Sequence, residues 1–593
     1  MNPLFKIINR IFMKKQLIFL FLLSVCGIAF SQKKDTLKTE VIRVVKPFAP
    51  TVGDAEKISQ EPKIDSVAID KKREVNYTFN SVPVASTFIP EKGAARSLAR
   101  MPKERFYNNY VSLGFGNYLT PYAEIFAHSN LTKSSDFGGL LKYQASFGDI
   151  QDVELESGYS DLSADLFYKQ TERYFDWQVT GGIKSEMVNW YGLSDVIDFT
   201  PNTINSIDPK QSYGTIYLGG GVNFEEALVH HGELKVINFL DDFKSSEFYV
   251  NTNANIEFPV WELLMNSFIT VEYVRGSFEE DFQNAAINYN YFNLGFSPNF
   301  SFYNEYLSLN VGANLWYSMT NNRDESSKFY AYPNVTASYK LNEENLIAYA
   351  GVTGDLQQNT YREFVDANPF VSPTLDIRRT SQPYFGFIGA KGKILSDLSF
   401  NFKAGYGSEK DKPLFKLNTA KTNGKIALDD GYAAGNSFKV VYDDVNTIQV
   451  FGEVIYDFDN HFKIGGNFEF NSYETNLQEY AWNLPMFKTA IITKYLRTKW
   501  YACADLYFHS DRKDELMIDE AIVTLPTGLE RVTPITNSAF VDLNLNAGYY
   551  FNDRWSTFLK LNNVLNQNYQ DFTNFEVQGF QVLGGFTYRF DFD

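Results

Sequence analysis

The sequence predicts an all-β fold: a transmembrane, outer-membrane antiparallel β-barrel of about 22 strands, preceded by an irregular N-terminal extension. Three observations carry that expectation. Apolar and polar residues alternate strictly over long runs, the period-2 signature of strands with one apolar and one polar face. These runs exceed the usual length of about five or six residues and match the roughly 9–11 tilted residues of a bilayer-crossing strand. Aromatic residues make up 17% of the 593-residue chain, with 38 Tyr and 53 Phe, and barrels gather such side chains in girdles at both membrane interfaces. A mean hydropathy of −0.28 excludes a helical membrane protein, and the aromatic load argues against disorder.

Met1–Ser31 carries Lys6, Arg10, Lys14 and Lys15 and no acid, followed by an apolar run from Leu17 to Phe30 broken only by Ser24 and Gly27. This is the pattern of a secretory signal cleaved before Gln32. Met13-Lys14-Lys15 is an alternative start. Cys26 would suggest a lipoprotein, but Val25 stands before it where a small residue is needed. Cleavage leaves Cys503 as the one cysteine, so neither a disulfide framework nor a cysteine metal site is expected. No second apolar run reaches the roughly 18 residues of a membrane helix. Secretion, amphipathic strands and no such helix together point to the Gram-negative outer membrane.

The segment 32–105 has another character: mixed charge, few alternating runs and Pro47, Pro50, Pro62, Pro83 and Pro90. It reads as an irregular periplasmic or lumenal extension. The whole chain is −17; with Met1–Ser31 at +4 and Gln32–Arg105 at +5, the segment 106–593 carries −26. Such a surface excludes nucleic acid as a partner.

From Phe106 to Asp593 alternation takes over, and the candidate strands run from Tyr107–Asn117 to the C-terminal set. In the last three strands, Val541, Leu543, Leu545, Ala547 and Tyr549 oppose Asp542, Asn544, Asn546 and Gly548. Trp555, Thr557, Leu559 and Leu561 oppose Ser556, Lys560 and Asn562. Phe586, Tyr588 and Phe590 oppose Thr587, Arg589 and Asp591. Lys560, Asn562, Arg589 and Asp591 are thus the candidate lumen-facing residues. Connections alternate short (Leu395-Ser396-Asp397, Asn552-Asp553) and long (Gly192–Ser212, Gln357–Thr380, Ser408–Asn446, Ser510–Ser538, Asn566–Gln578), as periplasmic turns and outer loops do. The parity places Tyr107 and Asp593 at the periplasmic side. A 14- or 16-strand porin, made by merging several runs, is the alternative.

No catalytic signature is present: there is no Gly-x-Ser-x-Gly, Walker loop, His-Glu-x-x-His or Cys-x-x-Cys, so no enzyme and no cofactor is expected. His128, His230, His231, His461 and His509 are scattered. The acidic groups Asp241-Asp242, Glu279-Glu280-Asp281, Asp429-Asp430 and Asp443-Asp444 fall in or beside outer loops but lack the spacing of a calcium loop. Solvation, or divalent bridging to lipopolysaccharide, is their expected role.

Lys560-Leu561-Asn562-Asn563-Val564-Leu565-Asn566-Gln567-Asn568-Tyr569, then Val577-Gln578-Gly579-Phe580 and an aromatic-rich last strand, resemble the final hairpin of TonB-dependent outer-membrane receptors. The chain ends one residue past the terminal aromatic usual in such barrels. Arg43–Ile58 and Gly114–Pro121 resemble elements of Bacteroidota members of that group. The resemblance implies a TonB box, for which Thr39, Glu40, Val41, Ile42, Arg43 and Val44 are the similar segment, offered for strand addition. It also implies a folded plug of about 130 residues in the lumen. The segment 32–105 is too short for that, so the chain resembles a receptor barrel without a full plug.

Two functions follow as expectations. One is a receptor or transport barrel that docks or moves a ligand, engaging TonB. The other is a non-transporting, plugless subunit that scaffolds a secretion or assembly complex with an outer-membrane lipoprotein or periplasmic partner. A wall of about 22 strands is too wide for its own side chains to fill. The lumen must therefore be blocked by the N-terminal segment, by inward-folded loops or by a partner. Lys71-Lys72-Arg73, Arg96, Arg100 and Arg105 are the basic residues available to pair with lumenal carboxylates, giving partial filling.

Overall fold

The computed structural model describes residues 107–592 except 226, 284, 323–324, 343–345, 460, 521–522 and 526–529. The signal segment, the extension 32–105 with its TonB-box-like Thr39–Val44, and the basic residues from Lys71 to Arg105 lie outside the described residues.

The alternating runs become long antiparallel strands. In chain order they are β1 (Asn109–Gly116), β2 (Thr120–Thr132), β3 (Ser135–Ser146), β4 (Tyr159–Thr171), β5 (Phe175–Asn189) and β6 (Lys210–Phe224). Then come β7 (Val229–Asp241), β8 (Ser246–Val260), β9 (Leu263–Phe278), β10 (Ile287–Tyr303), β11 (Leu307–Thr320) and β12 (Lys328–Asn342). β13 (Leu346–Gln358), β14 (Arg379–Leu395), β15 (Leu398–Leu417), β16 (Phe438–Asp459), β17 (Phe462–Thr475), β18 (Phe487–Leu496) and β19 (Trp500–His509) follow. The last are β20 (Arg512–Met517), β21 (Val532–Asn537), β22 (Phe540–Tyr550), β23 (Trp555–Asn562), β24 (Gln570–Phe572), β25 (Phe575–Glu576) and β26 (Gln581–Phe590). Two short helices lie in loops: α1 (Pro201–Ile204) and α2 (Tyr361–Ala367).

Twenty-two of the strands form one sheet, and β1 pairs with β26, so the sheet closes on itself. The remaining four make two hairpins, β20–β21 and β24–β25, inside outer loops. Closure satisfies every wall strand on both edges, the condition for placing a sheet in hydrocarbon. At the seam Ser112 and Thr587 join hydroxyls at 2.7 Å on the inner side. Their outer neighbours Leu113 and Phe586 are paired across the seam and are 56% and 58% exposed. Leu166, Ile183, Leu218, Ile388 and Leu559 continue this exposed apolar exterior. Water does not favour such a surface, and a bilayer does. On the inner face the Phe558 ring lies against Gly114 and Gly585 of the seam. A Cβ at Gly585 would stand 2.3 Å from the Leu113 carbonyl and 2.4 Å from the Phe558 ring, so this close approach requires glycine.

One rim carries short turns such as Lys133-Ser134, Trp261-Glu262 and Ser396-Asp397, and the other carries the long loops. Tyr107 accepts a 3.1 Å hydrogen bond from Arg554 in the turn after β22, which places the start of the wall at the short-turn rim. Several long connections carry structure that the sequence expectation left out, β24–β25 within Asn566–Gln578 among them. Ser408–Asn446 is not one loop: β15 and β16 continue into it and pair as far as Leu417 and Phe438. The charged run Ser408–Lys412 disguised the strand, because it contains a bulge with Asp411 at φ 51°. Beyond it, Leu414 and Leu417 are buried. Ser510–Ser538 likewise contains the β20–β21 hairpin. His230 and His231 are early residues of β7.

Candidate functional site

The long loops do not stand apart in solvent; they fold over the barrel mouth as a roof with an apolar core. Tyr213, Phe239, Phe278 and Tyr289 on the inner wall pack with Tyr361, Phe364, Leu375 and Ile377 of the β13–β14 loop, and with Phe438 and Phe575. Tyr361 stands edge-on to Phe239 and Phe278, with ring centroids 5.2 and 4.9 Å away. Phe370 stacks on Phe575 at 3.7 Å, tying the β13–β14 loop to the β23–β26 loop. Second and third apolar clusters, around Trp190 and Tyr432 and around Ile197 and Leu516, join further loops to the roof.

Polar anchors from the wall fix this loop. The start of α2 leaves backbone N–H groups without helical partners. Thr360 accepts from Glu363 N at 3.2 Å, and the buried Glu247 carboxylate of β8 accepts from Tyr361 N at 2.6 Å and Arg362 N at 3.2 Å. Glu247 also accepts from the Tyr289 hydroxyl at 2.7 Å. Tyr213 and Tyr291 donate their hydroxyls to the loop carbonyls of Pro369 and Ile377, at 3.0 and 2.8 Å. At the loop's end the Arg379 guanidinium pairs with Glu325, donates to Ser318 Oγ at 2.6 Å and lies over the Tyr291 ring at 5.1 Å. On the other side of the roof Lys416 pairs with Glu515 and lies 4.3 Å over the Trp482 ring. Asp514 accepts from Asn483 Nδ2 at 2.8 Å and Leu417 N at 3.2 Å, and burial pushes its carboxyl above the ordinary range.

Beneath the β13–β14 loop lies a cavity of about 840 Å³. The wall supplies Lys142, Asp161, Asp165, Lys184, Glu186 and Lys235, and the roof loop supplies Arg362, Asp366, Pro369 and Phe370. Lys184 is its centre: its ammonium lies 2.7 Å from Glu186, 3.8 Å from Asp366 and 3.9 Å from Asp161. The roof and the wall are thus bridged through the cavity lining. Cationic and anionic side chains are balanced here, so the −26 of the segment 106–593 creates no one-signed field in this cavity. With Tyr122, Tyr159 and Tyr217 also in the lining, the cavity can hold a polar guest by paired charges and ring contacts.

The residues singled out from the sequence sit elsewhere. Lys560 places its ammonium 4.9 Å over the Tyr122 ring, beside a smaller cavity it shares with Glu124, Thr587 and Arg589. Arg589 lies 5.2 Å over Tyr550. Asn562 donates to Gln581 across β23–β26 at 3.1 Å, and Asp591 accepts from Asn108 N at 2.9 Å. These residues flank the closing seam and do not converge with the larger cavity. The acidic doublets serve as loop staples: Asp443 accepts from the backbone N–H groups of Asn476, Leu477 and Gln478 at 3.0, 2.9 and 2.8 Å. Asp241 accepts from the Tyr361 hydroxyl at 2.8 Å. The sequence reading missed α2, although Thr360-x-x-Glu363 is a capping signature.

No protein-family model and no curated relative matches the sequence. The fold does match solved structures. The pyoverdine outer membrane receptor FpvA from Pseudomonas aeruginosa aligns with a TM-score of 0.58 at 12% identity, over 82% of this chain and 78% of that chain. The siderophore receptor PirA from Acinetobacter baumannii aligns at 0.57 and 10% identity, over 81% and 80%. The copper transporter OprC aligns at 0.57 and 10%, over 83% and 81%. Identity this low establishes the shared architecture: this chain has the 22-strand barrel fold of outer-membrane receptors and transporters.

Proposed function

We propose that this chain is an outer-membrane receptor barrel of the TonB-dependent type that docks or moves a ligand through the cavity under its roof. The observation that carries the reading is the cavity itself. It lies inside a closed barrel, and the β13–β14 loop, anchored at Glu247 and Arg379, forms part of its lining. Similarity to siderophore and copper receptors supports a transport role. The Bacteroidota assignment, a cleaved segment 1–31 and a shortened plug in 32–105 belong to the same reading. So does Thr39–Val44 as the strand offered to TonB, with lipopolysaccharide around the outer rim.

The second reading, a non-transporting barrel that scaffolds an assembly with a lipoprotein or periplasmic partner, is favoured by one feature. The roof has its own apolar core and ion pairs, as a permanently closed mouth would. Single-channel conductance separates the two. In the receptor reading, deleting 32–100 leaves conductance low, because the roof closes the mouth, while replacing 360–377 with a short linker raises it strongly. High conductance of the full chain before any deletion would defeat the claim that its loops seal it. Uptake that survives removal of Thr39–Val44 would defeat the TonB element and leave the scaffold reading in place.

A further inference from the structure

The barrel wall is low beside the large cavity. At the closing seam β1, β23 and β26 have eight, eight and ten residues, against 17, 20 and 22 in β14, β15 and β16. The β1–β2 connection lies on the long-loop rim, yet it is only Asn117-Tyr118-Leu119. At about 3.3 Å per residue and a tilt of about 40°, a strand the length of β1 climbs about 20 Å, short of an apolar band of about 25 Å. The turn therefore sits inside the outer edge of the hydrocarbon, and the side chains around it suit that place. Phe115, Leu119, Phe147 and Phe580 are 60, 60, 50 and 38% exposed. Tyr118 and Leu119 hold φ of 56° and 48°, a left-handed backbone that costs non-glycine residues energy and gathers at functional segments.

A chain of polar groups stands between this lip and the cavity. Gln578 and Gln581 line the cavity, and the exposed Phe580 lies between them in the sequence. Gln581 Nε2 donates to Gln578 Oε1 at 2.9 Å. Gln578 Nε2 donates to Ser146 Oγ at 2.8 Å and to the Gly148 carbonyl at 3.3 Å. The Tyr118 carbonyl accepts from Phe147 N, Gly148 N and Ser146 Oγ at 3.1, 2.8 and 3.2 Å. Asn117 fastens the turn to the last strand, donating to the Phe580 carbonyl at 2.8 Å and accepting from Val582 N at 2.9 Å. Above the cavity the roof is held by its aromatic core; toward the bilayer the closure is made of these hydrogen bonds.

We propose that the lip is a lateral port, through which the headgroup of a zwitterionic phospholipid enters the cavity from the outer leaflet. Its acyl chains stay in hydrocarbon over Phe115, Leu119 and Phe580, so the roof need not lift. Lys142, Lys184 and Lys235 face its phosphate, and Asp161, Glu186 and Asp366 its ammonium. A purely anionic head would leave the carboxylates uncompensated, and a neutral one would match neither set. The cavity of about 840 Å³ falls within the roughly 300–1,000 Å³ that encloses a guest of drug size. The proposal names a guest for the cavity of the receptor reading and rests on that reading for whatever follows binding; binding itself is separable.

The test is photocrosslinking of the full chain in phosphatidylglycerol vesicles. They carry a trace of tritiated phosphatidylethanolamine or, in a parallel set, of tritiated phosphatidylglycerol. With p-benzoylphenylalanine in place of Tyr159, in the cavity lining, phosphatidylethanolamine should be captured about tenfold better than phosphatidylglycerol. With it in place of Leu166, on the outer wall, the two should be captured alike. Lys184→Met should lower capture at the cavity position about tenfold, and Lys184→Arg should restore it. Leu119→Asp, which charges the lip on an exposed turn, should also lower it and serves if Lys184→Met does not fold. Gln578→Ala should raise it. No lipid captured in the cavity while the outer wall is labelled, equal capture of both lipids there, or capture indifferent to Leu119→Asp would overturn the proposal. Selective capture in a chain that supports no uptake would keep the port and reject the transport reading.

Discussion

Arg379→Met tests whether the roof is locked by paired charge. The Arg379 side chain is 4% exposed and that of Glu325 17%. The guanidinium also donates to Ser318 and to the Ser326 carbonyl. Methionine keeps the stem against Tyr291 and Tyr330 but leaves Glu325 without its cation. Breaking one side of a buried pair costs about 3–5 kcal/mol. Glu325 retains some access to water, so about 3 kcal/mol is expected here, roughly a hundredfold increase in the open population of this roof edge. Hydrogen exchange of residues 359–378 under native conditions reads that change directly, with barrel strands such as β3 as an unaffected reference. The double variant Arg379→Met with Glu325→Gln should recover most of the protection, because no unpaired charge remains. Unchanged protection in the single variant would show that the ion pair does not hold the roof. A double variant as open as the single would show that lost packing, not charge, was responsible.

Two further outcomes check the wall and its orientation. Phe586→Arg puts a charge on the exposed outer face and should cost about 2–4 kcal/mol of barrel stability near the midplane. Thr587→Arg, on the inner face, should be tolerated, and equal losses in urea unfolding would remove the face assignment. Protease added to intact cells should cut near the exposed Glu530-Arg531 and leave the loop around Tyr432–Ala434, which is buried. Cleavage at Lys133-Ser134 in place of that site would invert the topology.

The wall was legible because its rule is local. Side chains alternate between lipid and lumen, and Val250, Thr252 and Ala254 against Asn251, Asn253 and Asn255 follow that rule in sequence and in structure. The roof was not, because it depends on contacts between residues far apart in the chain. Phe370 and Phe575 belong to loops separated by many strands, and nothing near either residue announces their stacking. Asp443 and Asp241 read as solvated doublets because a carboxylate that accepts from distant backbone N–H groups, as Asp443 does, or from a distant hydroxyl, as Asp241 does, has the same sequence as one facing water. Leu414 and Leu417 were legible as apolar residues, but the bulge at Glu409–Lys412 broke the period that would have assigned them to β15.

A roof with an apolar core constrains how any transport step proceeds. A ligand shifts a closed–open equilibrium only by as much as it binds the two states differently. The roof residues lining the large cavity come from the β13–β14 loop (Arg362, Asp366, Pro369 and Phe370), from the β5–β6 loop (Tyr191) and from the β23–β26 loop (Val577 and Gln578), so a guest there acts on the roof through several loops, and its charged contacts run through the first of them. Asp366 is the point of exchange. It shares Arg362 at 2.6 Å and Lys184 at 3.8 Å, and a guest that takes over Lys184 weakens one link between roof and wall. The apolar contacts of Tyr361 with Phe239 and Phe278 remain, and no cavity ligand touches them. Each buried aromatic of this kind contributes a few kcal/mol. Ligand binding at Lys184 alone therefore loosens the α2 loop without opening the mouth. On the receptor reading, full opening needs a second input, applied to the wall beneath the roof or at the short-turn rim where the wall begins.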